Sequence, residues 1–141
     1  MDKDLIRFYG KVITVAERQF RASCSGKEAE SFIQMLYTDF KHAGMPKDVE
    51  QWLDVRLQKE FLCVAEPPRW VEDEPAWPFY QGKPMVFVSQ MTLHKNSVTE
   101  QHLTWDAELY LFGARVNLDR GYRVEYYVVT QIAGINGQRL R

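Results

Sequence analysis

The chain has 141 residues, of which 45% are hydrophobic and 13% aromatic, so it holds enough apolar side chains to form the core of one domain. Its 18 basic and 19 acidic residues give a net charge of -1, which argues against a general binder of nucleic acid or of membrane surfaces. The chain shows neither a signal-peptide pattern at Met1 nor an apolar run of roughly 20 residues that would span a bilayer, so we expect a cytoplasmic protein.

The first 60 residues carry apolar side chains at helical spacing. Such residues recur every three or four positions over 5–20, 29–40 and 49–57, so that each stretch has one apolar face. This periodicity predicts three helices that bury those faces in a common core.

Particular residues predict where these helices begin and end. Ser25 and Glu28 have the spacing of a capping box, in which both side chains satisfy amide groups at the start of the second helix. Gly44 is a natural terminator of that helix because glycine readily adopts positive φ. Pro46 suits the first turn of the third helix, where its missing N–H costs nothing.

After residue 60 the apolar residues form short runs rich in β-branched and aromatic side chains. These runs predict strands at 61–65, 85–93, 108–112 and 122–131, followed by a flexible tail over 133–141. Helices followed by strands favour a single α+β domain, with about three helices on one face of a mostly antiparallel sheet of about four strands. The other face is expected to be partly open and to expose aromatics from alternate strand positions.

The residue types that carry chemistry are sparse and scattered. Cys24 and Cys63 fit no metal or redox spacing, and we expect both thiols to be reduced. His94 and His102 flank a polar loop that contains Glu100, but histidines in such loops are ordinary surface residues more often than an acid–base pair. We therefore predict no catalytic residue, metal site or cofactor, and no enzymatic activity.

The segment 67–84, here called the Trp-Pro loop, is the most unusual part of the chain. Its aromatic residues gain about 1.5–3 kcal/mol each when buried, and its prolines reduce the entropy lost on ordering. The consecutive acids Glu72, Asp73 and Glu74 are expected to stay in solvent, where they are either a solvated turn or a contact for a basic partner. The aromatics are either core residues or anchors in an interface.

The end of this loop also carries a resemblance to a known family. The residues Trp77-Pro78, the turn Gly82-Lys-Pro84-Met85 and the following strand to Gln90 resemble the YwqG-like family of bacterial proteins of unknown function. The segments 109–112 and 128–131 are similar to downstream strands of such proteins. Proteins of this kind often accompany bacterial polymorphic toxins, and several related small α+β families are immunity proteins.

The resemblance implies a binding protein that neutralises a cognate secreted toxin. The acids of the Trp-Pro loop suit a toxin with a basic active-site cleft. The partner-binding residues expected on this hypothesis are Trp70, Glu72, Asp73, Glu74, Trp77 and Tyr80. One alternative is an enzyme or small-ligand protein with a pocket between the Trp-Pro loop and the sheet, lined by Trp70, Tyr80 and Gln90. Another is a subunit or adaptor that associates with itself through an exposed strand edge.

Overall fold

The computed structural model describes residues 2–71, 75–94 and 106–132. These residues divide into two units, the first comprising 1–62 and 76–85 and the second comprising 63–75 and 86–141, as far as they are described. The first unit holds the helices and a small hairpin, and the second holds a three-stranded antiparallel sheet. The predicted α+β class with N-terminal helices is confirmed.

The helical unit contains the three helices that the apolar periodicity predicts. They are α1 (Lys3–Phe20), α2 (Lys27–His42) and α3 (Val49–Glu60). Their apolar faces meet in a core rich in aromatic rings, since the Phe8 ring lies 5.3 Å from that of Phe40. The buried residues with the least exposure in this core include Val12, Phe32, Leu36, Leu53 and Leu57.

Two of the predicted helix boundaries are wrong in detail. The N-cap of α2 is Gly26, which offers no side chain, so Ser25 and Glu28 do not form the capping box. The Glu28 carboxylate instead accepts a long hydrogen bond from the Gly82 N–H at 3.4 Å. The N-cap of α3 is Asp48, whose carboxylate accepts from the Gln51 N–H at 3.0 Å, so Pro46 precedes the helix and is not part of its first turn.

A short hairpin, absent from the sequence-based prediction, belongs to the helical unit. Strands β1 (Phe79–Tyr80) and β2 (Lys83–Pro84) pair antiparallel across Gln81 and Gly82, whose φ angles are 51° and 75°. Two consecutive positive φ values are the mark of a type I′ turn, which matches the twist of a two-residue hairpin. Gln at the first turn position and strands of two residues make the signal weak in the sequence.

The sheet unit contains β3 (Val86–Leu93), β4 (Ala107–Asn117) and β5 (Tyr122–Ile132), paired antiparallel in the order β3-β4-β5. The predicted first strand at 61–65 is wrong, because within the described residues Cys63 makes only an isolated bridge to Phe87. The reason is that the chain passes from one unit to the other within this apolar run. Phe61 stays in the helical unit, where its ring stacks 4.7 Å from that of Phe20.

Candidate interaction surface

One face of the three-stranded sheet is covered by the segment that precedes the acidic run. Trp70 is only 4% exposed, and its ring lies 4.6 Å from that of Tyr110 and 6.3 Å from that of Phe112. Tyr110 and Phe112 are two positions apart in β4, and side chains with this spacing point to the same face of a sheet. Trp70 therefore acts as the lid of the core of the sheet unit.

Polar side chains on the same face hold the backbone of this segment in place. Gln131 is 3% exposed, and its Oε1 accepts from the Val71 N–H at 2.9 Å and from the Tyr110 hydroxyl at 2.8 Å. At the other edge of the sheet, the Gln90 amide accepts from the Arg69 N–H at 2.8 Å and donates to the Arg69 carbonyl oxygen at 3.1 Å. Gln90, inside β3, and Gln131, near the end of β5, are thus local hydrogen-bonding groups for the backbone on either side of Trp70.

The other predicted aromatic contacts belong to the helical unit. Trp77 is 2% exposed, its Nε1–H donates to the Met85 carbonyl oxygen at 2.9 Å, and its ring lies 5.2 Å from that of Phe61. Tyr80 lies in β1 and is half-buried. Of the residues that carry the family resemblance, 82–84 belong to the hairpin and 86–90 belong to β3. Trp70 and Trp77 are buried and present no open ring face to a partner.

The predicted acidic contact residues Glu72, Asp73 and Glu74 lie outside the described residues, as do Glu100 and His102 of the polar loop and the tail over 133–141. His94 is described and exposed, with its Nδ1 3.7 Å from Oδ2 of Asp106. The role of Glu72, Asp73 and Glu74 as partner contacts stays a prediction.

Both cysteines are free thiols, as the sequence analysis predicts. Burial raises the pKa of the Cys24 thiol to about 12, and the nearby Glu17 carboxylate adds to the shift. Burial also raises the pKa of the Cys63 thiol. Since the thiolate is the nucleophilic form, both environments disfavour cysteine reactivity near neutral pH.

Within the described residues, the opposite face of the sheet is open and apolar. Register-paired residues of neighbouring strands share a face, which places Met91 of β3, Leu111 of β4 and three residues of β5 together. We call this surface the open sheet face and define it by Met91, Leu111, Val124, Tyr126 and Val128. Tyr126 is 63% exposed and Met91 58% exposed, so the expectation of exposed aromatics at alternate strand positions is confirmed.

Gly113 shapes the middle of this face. It is the register partner of Tyr126, and a Cβ built on it would lie 3.4 Å from Cγ1 of Val124 and 3.7 Å from Cδ1 of Tyr126. Because Gly113 has no side chain, the Tyr126 ring can pack over it from the neighbouring strand. At the hairpin end, the guanidinium of Arg115 lies 4.0 Å from the ring centroid of Tyr122.

The helical unit has a cavity of about 300 Å³, which lies at the lower end of the usual size of small-molecule sites. Its lining combines buried aromatic side chains with exposed basic ones. The aromatic residues are Phe8, Tyr37 and Phe40, and the basic residues are Arg7, Lys11 and Lys47. One acid, Asp4, also lines the cavity, 4.0 Å from Arg7.

The chain matches no protein-family model, and no curated protein or solved structure is detectably similar to it. The resemblance to YwqG-like proteins therefore stays a prediction. None of the described helices is long and apolar enough to cross a bilayer. Within the described residues, no group of three or more His, Cys, Asp or Glu side chains is placed to hold a metal ion.

Proposed function

We propose that this protein binds another protein through the open sheet face, and that it acts as an immunity protein which neutralises a secreted bacterial toxin. The observation that carries the binding role is the exposure of Tyr126, at 63%, beside Val128, at 49%, with Met91, at 58%, on the same face but on the far side of β4. Contiguous exposed apolar surface on a protein marks an interaction site. The class of partner comes from the family resemblance.

The residue types of this face are those that carry binding energy in protein interfaces. Tyr, Met and Arg are enriched in interfaces, and tyrosine supplies a large contact area with few rotatable bonds. Tyr126 lies against Gly113 and Arg115 lies over Tyr122, and both contacts limit the rotamers open to these tyrosines. Such preorganisation reduces the entropy that binding costs.

Co-expression with the product of a neighbouring toxin-like gene tests this proposal. We expect a complex and rescue of growth with the native chain, and loss of both with Met91→Glu, which places a charge at the exposed β3 edge of the face. Val55→Glu is the matched control, because Val55 is also an exposed apolar residue, at 48%, but lies on α3 of the helical unit. Absence of both the complex and the rescue with the native chain contradicts the proposal.

The acidic run Glu72–Glu74 is proposed as a second contact, which attracts a basic toxin cleft over a distance. Reversal of the three charges to Lys is then expected to slow association, and the difference from the native chain should shrink as salt rises. A salt dependence of the association rate that is the same for both proteins removes this run from the interface.

A second candidate function is the binding of a small ligand, and the cavity in the helical unit favours it. Arg7 and Lys11 already face Asp4 and Glu50, so Lys47 is the basic side chain that, beside the buried aromatic rings, suits an aromatic or aliphatic carboxylate. Titration with benzoate and octanoate, followed by NMR, is expected to shift signals of α1 and of residues 45–49. Lys47→Glu should weaken these shifts, and the control Lys59→Glu, on the exposed surface of α3, should not. Shifts spread over the whole chain contradict this candidate.

A further inference from the structure

Strand β5 lies at one edge of the sheet, and its backbone groups divide between the two sides. The Leu118 N–H donates to the Gly121 carbonyl oxygen at 3.1 Å, and these residues continue the register in which Asn117 faces Tyr122. Hydrogen-bonded and non-hydrogen-bonded pairs alternate along an antiparallel ladder. The odd-numbered residues of β5 therefore bond to β4, and the even-numbered residues from Tyr122 to Thr130 direct their N–H and C=O groups outward.

The described part of the chain places no strand on that outward side. The edge is also apolar, since the side chains of Tyr122, Val124, Tyr126 and Val128 are 37% to 63% exposed. Natural edge strands are usually short, or carry lysine, proline or a bulge that prevents pairing. β5 has 11 residues with neither lysine nor proline, and its register with β4 is unbroken.

The charges of β5 do not protect this edge either. Arg123 and Glu125 occupy inward-bonding positions, and the Arg123 Nε donates to Glu125 Oε1 at 2.8 Å. Each charge thus already has an opposite charge beside it. The edge offers an incoming strand its hydrogen-bonding groups without a net repulsive charge.

We propose that the outer edge of β5 pairs antiparallel with β5 of a second copy of this chain, so that two sheets join into one continuous six-stranded sheet. The two-fold axis lies at Tyr126, which faces Tyr126 of the second copy. Residues 122–130 of both copies are then paired, a span of about 30 Å, with about ten hydrogen bonds between outward-facing groups.

This register follows from the side chains of β5. It places Val124 opposite Val128 of the second copy, so that apolar residues meet on the open sheet face. It places Glu125 opposite Tyr127 of the second copy, whereas a register centred one residue earlier would set the two Glu125 carboxylates against each other, which is destabilising. The sequence of β5 is therefore complementary to itself when reversed, which favours a second copy over an unrelated strand.

Light scattering of the purified full chain, coupled to size exclusion, tests the proposal without any toxin. We expect a mass of twice the 16.6 kDa of one chain. Tyr126→Glu and Tyr126→Lys each bring two like charges together at the axis, so each variant alone should be a monomer. An equimolar mixture of the two should recover the dimer, because Glu then faces Lys.

Met91→Glu is the matched control, since Met91 is similarly exposed on the same face but lies on β3 at the opposite edge. It is expected to remain dimeric, and circular dichroism should show that all variants are folded. A native monomer at 0.1 mM, or Tyr126 variants that stay dimeric, overturns the proposal. A monomer that still binds a toxin overturns only the dimer, and a dimer that binds none overturns only the proposed function.

Discussion

The Tyr110 hydroxyl oxygen lies 2.8 Å from Oε1 of Gln131, across two neighbouring strands and beneath the backbone of residues 69–71. The same hydroxyl lies 3.1 Å from the Arg69 carbonyl oxygen and accepts from the Val71 N–H at 3.1 Å. Tyr110 and Gln131 therefore bind the backbone on both sides of Trp70, at the Arg69 carbonyl oxygen and at the Val71 N–H. The lid of the sheet core is held by hydrogen bonds as well as by the burial of its indole.

Tyr110→Phe removes this hydroxyl and leaves the ring in place. We expect the free energy of unfolding to fall by about 0.5–1.5 kcal/mol, because the single hydroxyl proton, shared between Gln131 Oε1 and the Arg69 carbonyl oxygen, is lost, while Val71 N–H and the Gln90 amide still donate to these two acceptors. Urea denaturation measures the change. Tyr127→Phe is the control, since Tyr127 is exposed on β5, and its change should stay within about 0.5 kcal/mol. Equal changes in the two variants contradict the role of the Tyr110 hydroxyl.

Two Gly→Ala substitutions should change stability in opposite directions. Gly82 has a φ of 75° in the hairpin turn, and alanine in this region costs about 1–2 kcal/mol. Gly10 lies within α1 with open space where a Cβ would stand, so Gly10→Ala should stabilise by about 0.5–1 kcal/mol. Thermal and urea denaturation of both variants check the signs, and a Gly82→Ala protein as stable as the native chain excludes the turn strain.

Acid should weaken the contact between α1 and α3. The Arg18 guanidinium lies 2.8 Å from Asp54 and 3.1 Å from Glu50, and Lys11 lies 3.1 Å from Glu50. Hydrogen bonds from Lys11 and Arg18 lower the pKa of Glu50, and a hydrogen bond from Arg18 lowers the pKa of Asp54. A lowered pKa in the folded state means that the stabilisation is present above the ordinary carboxyl pKa and is lost as the pH falls through the folded value.

We therefore expect the melting temperature to fall between pH 5 and pH 3, and to fall less in Arg18→Gln, which lacks the stabilising cation. Arg7→Gln is the matched control, because Arg7 is also on α1 but faces Asp4 at 4.0 Å. The pH dependence of Arg7→Gln should follow that of the native chain. An Arg18→Gln curve parallel to the native one refutes the linkage.

The two thiols should react with a disulfide reagent in a fixed order. Cys24 is buried and has a pKa raised to about 12, whereas Cys63 is partly exposed. At pH 8 we expect one thiol, that of Cys63, to be titrated in the folded protein and the second only after addition of denaturant. Cys63→Ser should abolish the first phase, while Cys24→Ser should leave it. Two thiols titrated together without denaturant contradict this order.

The sequence predicts most of the regular structure because its signals there are local. Helical periodicity identifies three helices, and β-branched and aromatic runs identify β3, β4 and β5. The errors arise where tertiary contacts override local patterns. The apolar run at 61–65 resembles a strand, but the Phe61 ring packs in the helical core against those of Phe20 and Trp77.

The candidate site could be predicted only in part. Alternation along 122–131 predicts that one set of tyrosines faces away from the core, which the structure confirms for Tyr122 and Tyr126. The sequence does not reveal that β5 is an edge strand, because strand order depends on pairing between distant segments. The proposed contacts of Trp70 and Trp77 could not be separated from core packing by composition, since an indole suits either environment.

The α+β class, the three helices and the alternating pattern of β5 can all be predicted from the sequence, because each depends on side-chain spacing within one segment. The burial of the Trp-Pro loop cannot, since Trp70 and Trp77, seven residues apart, enter the cores of different units. The open face and the open edge of β5 likewise follow from the order in which the strands pair. Burial and strand pairing are contacts between segments far apart in the chain, and no local pattern specifies which segments meet.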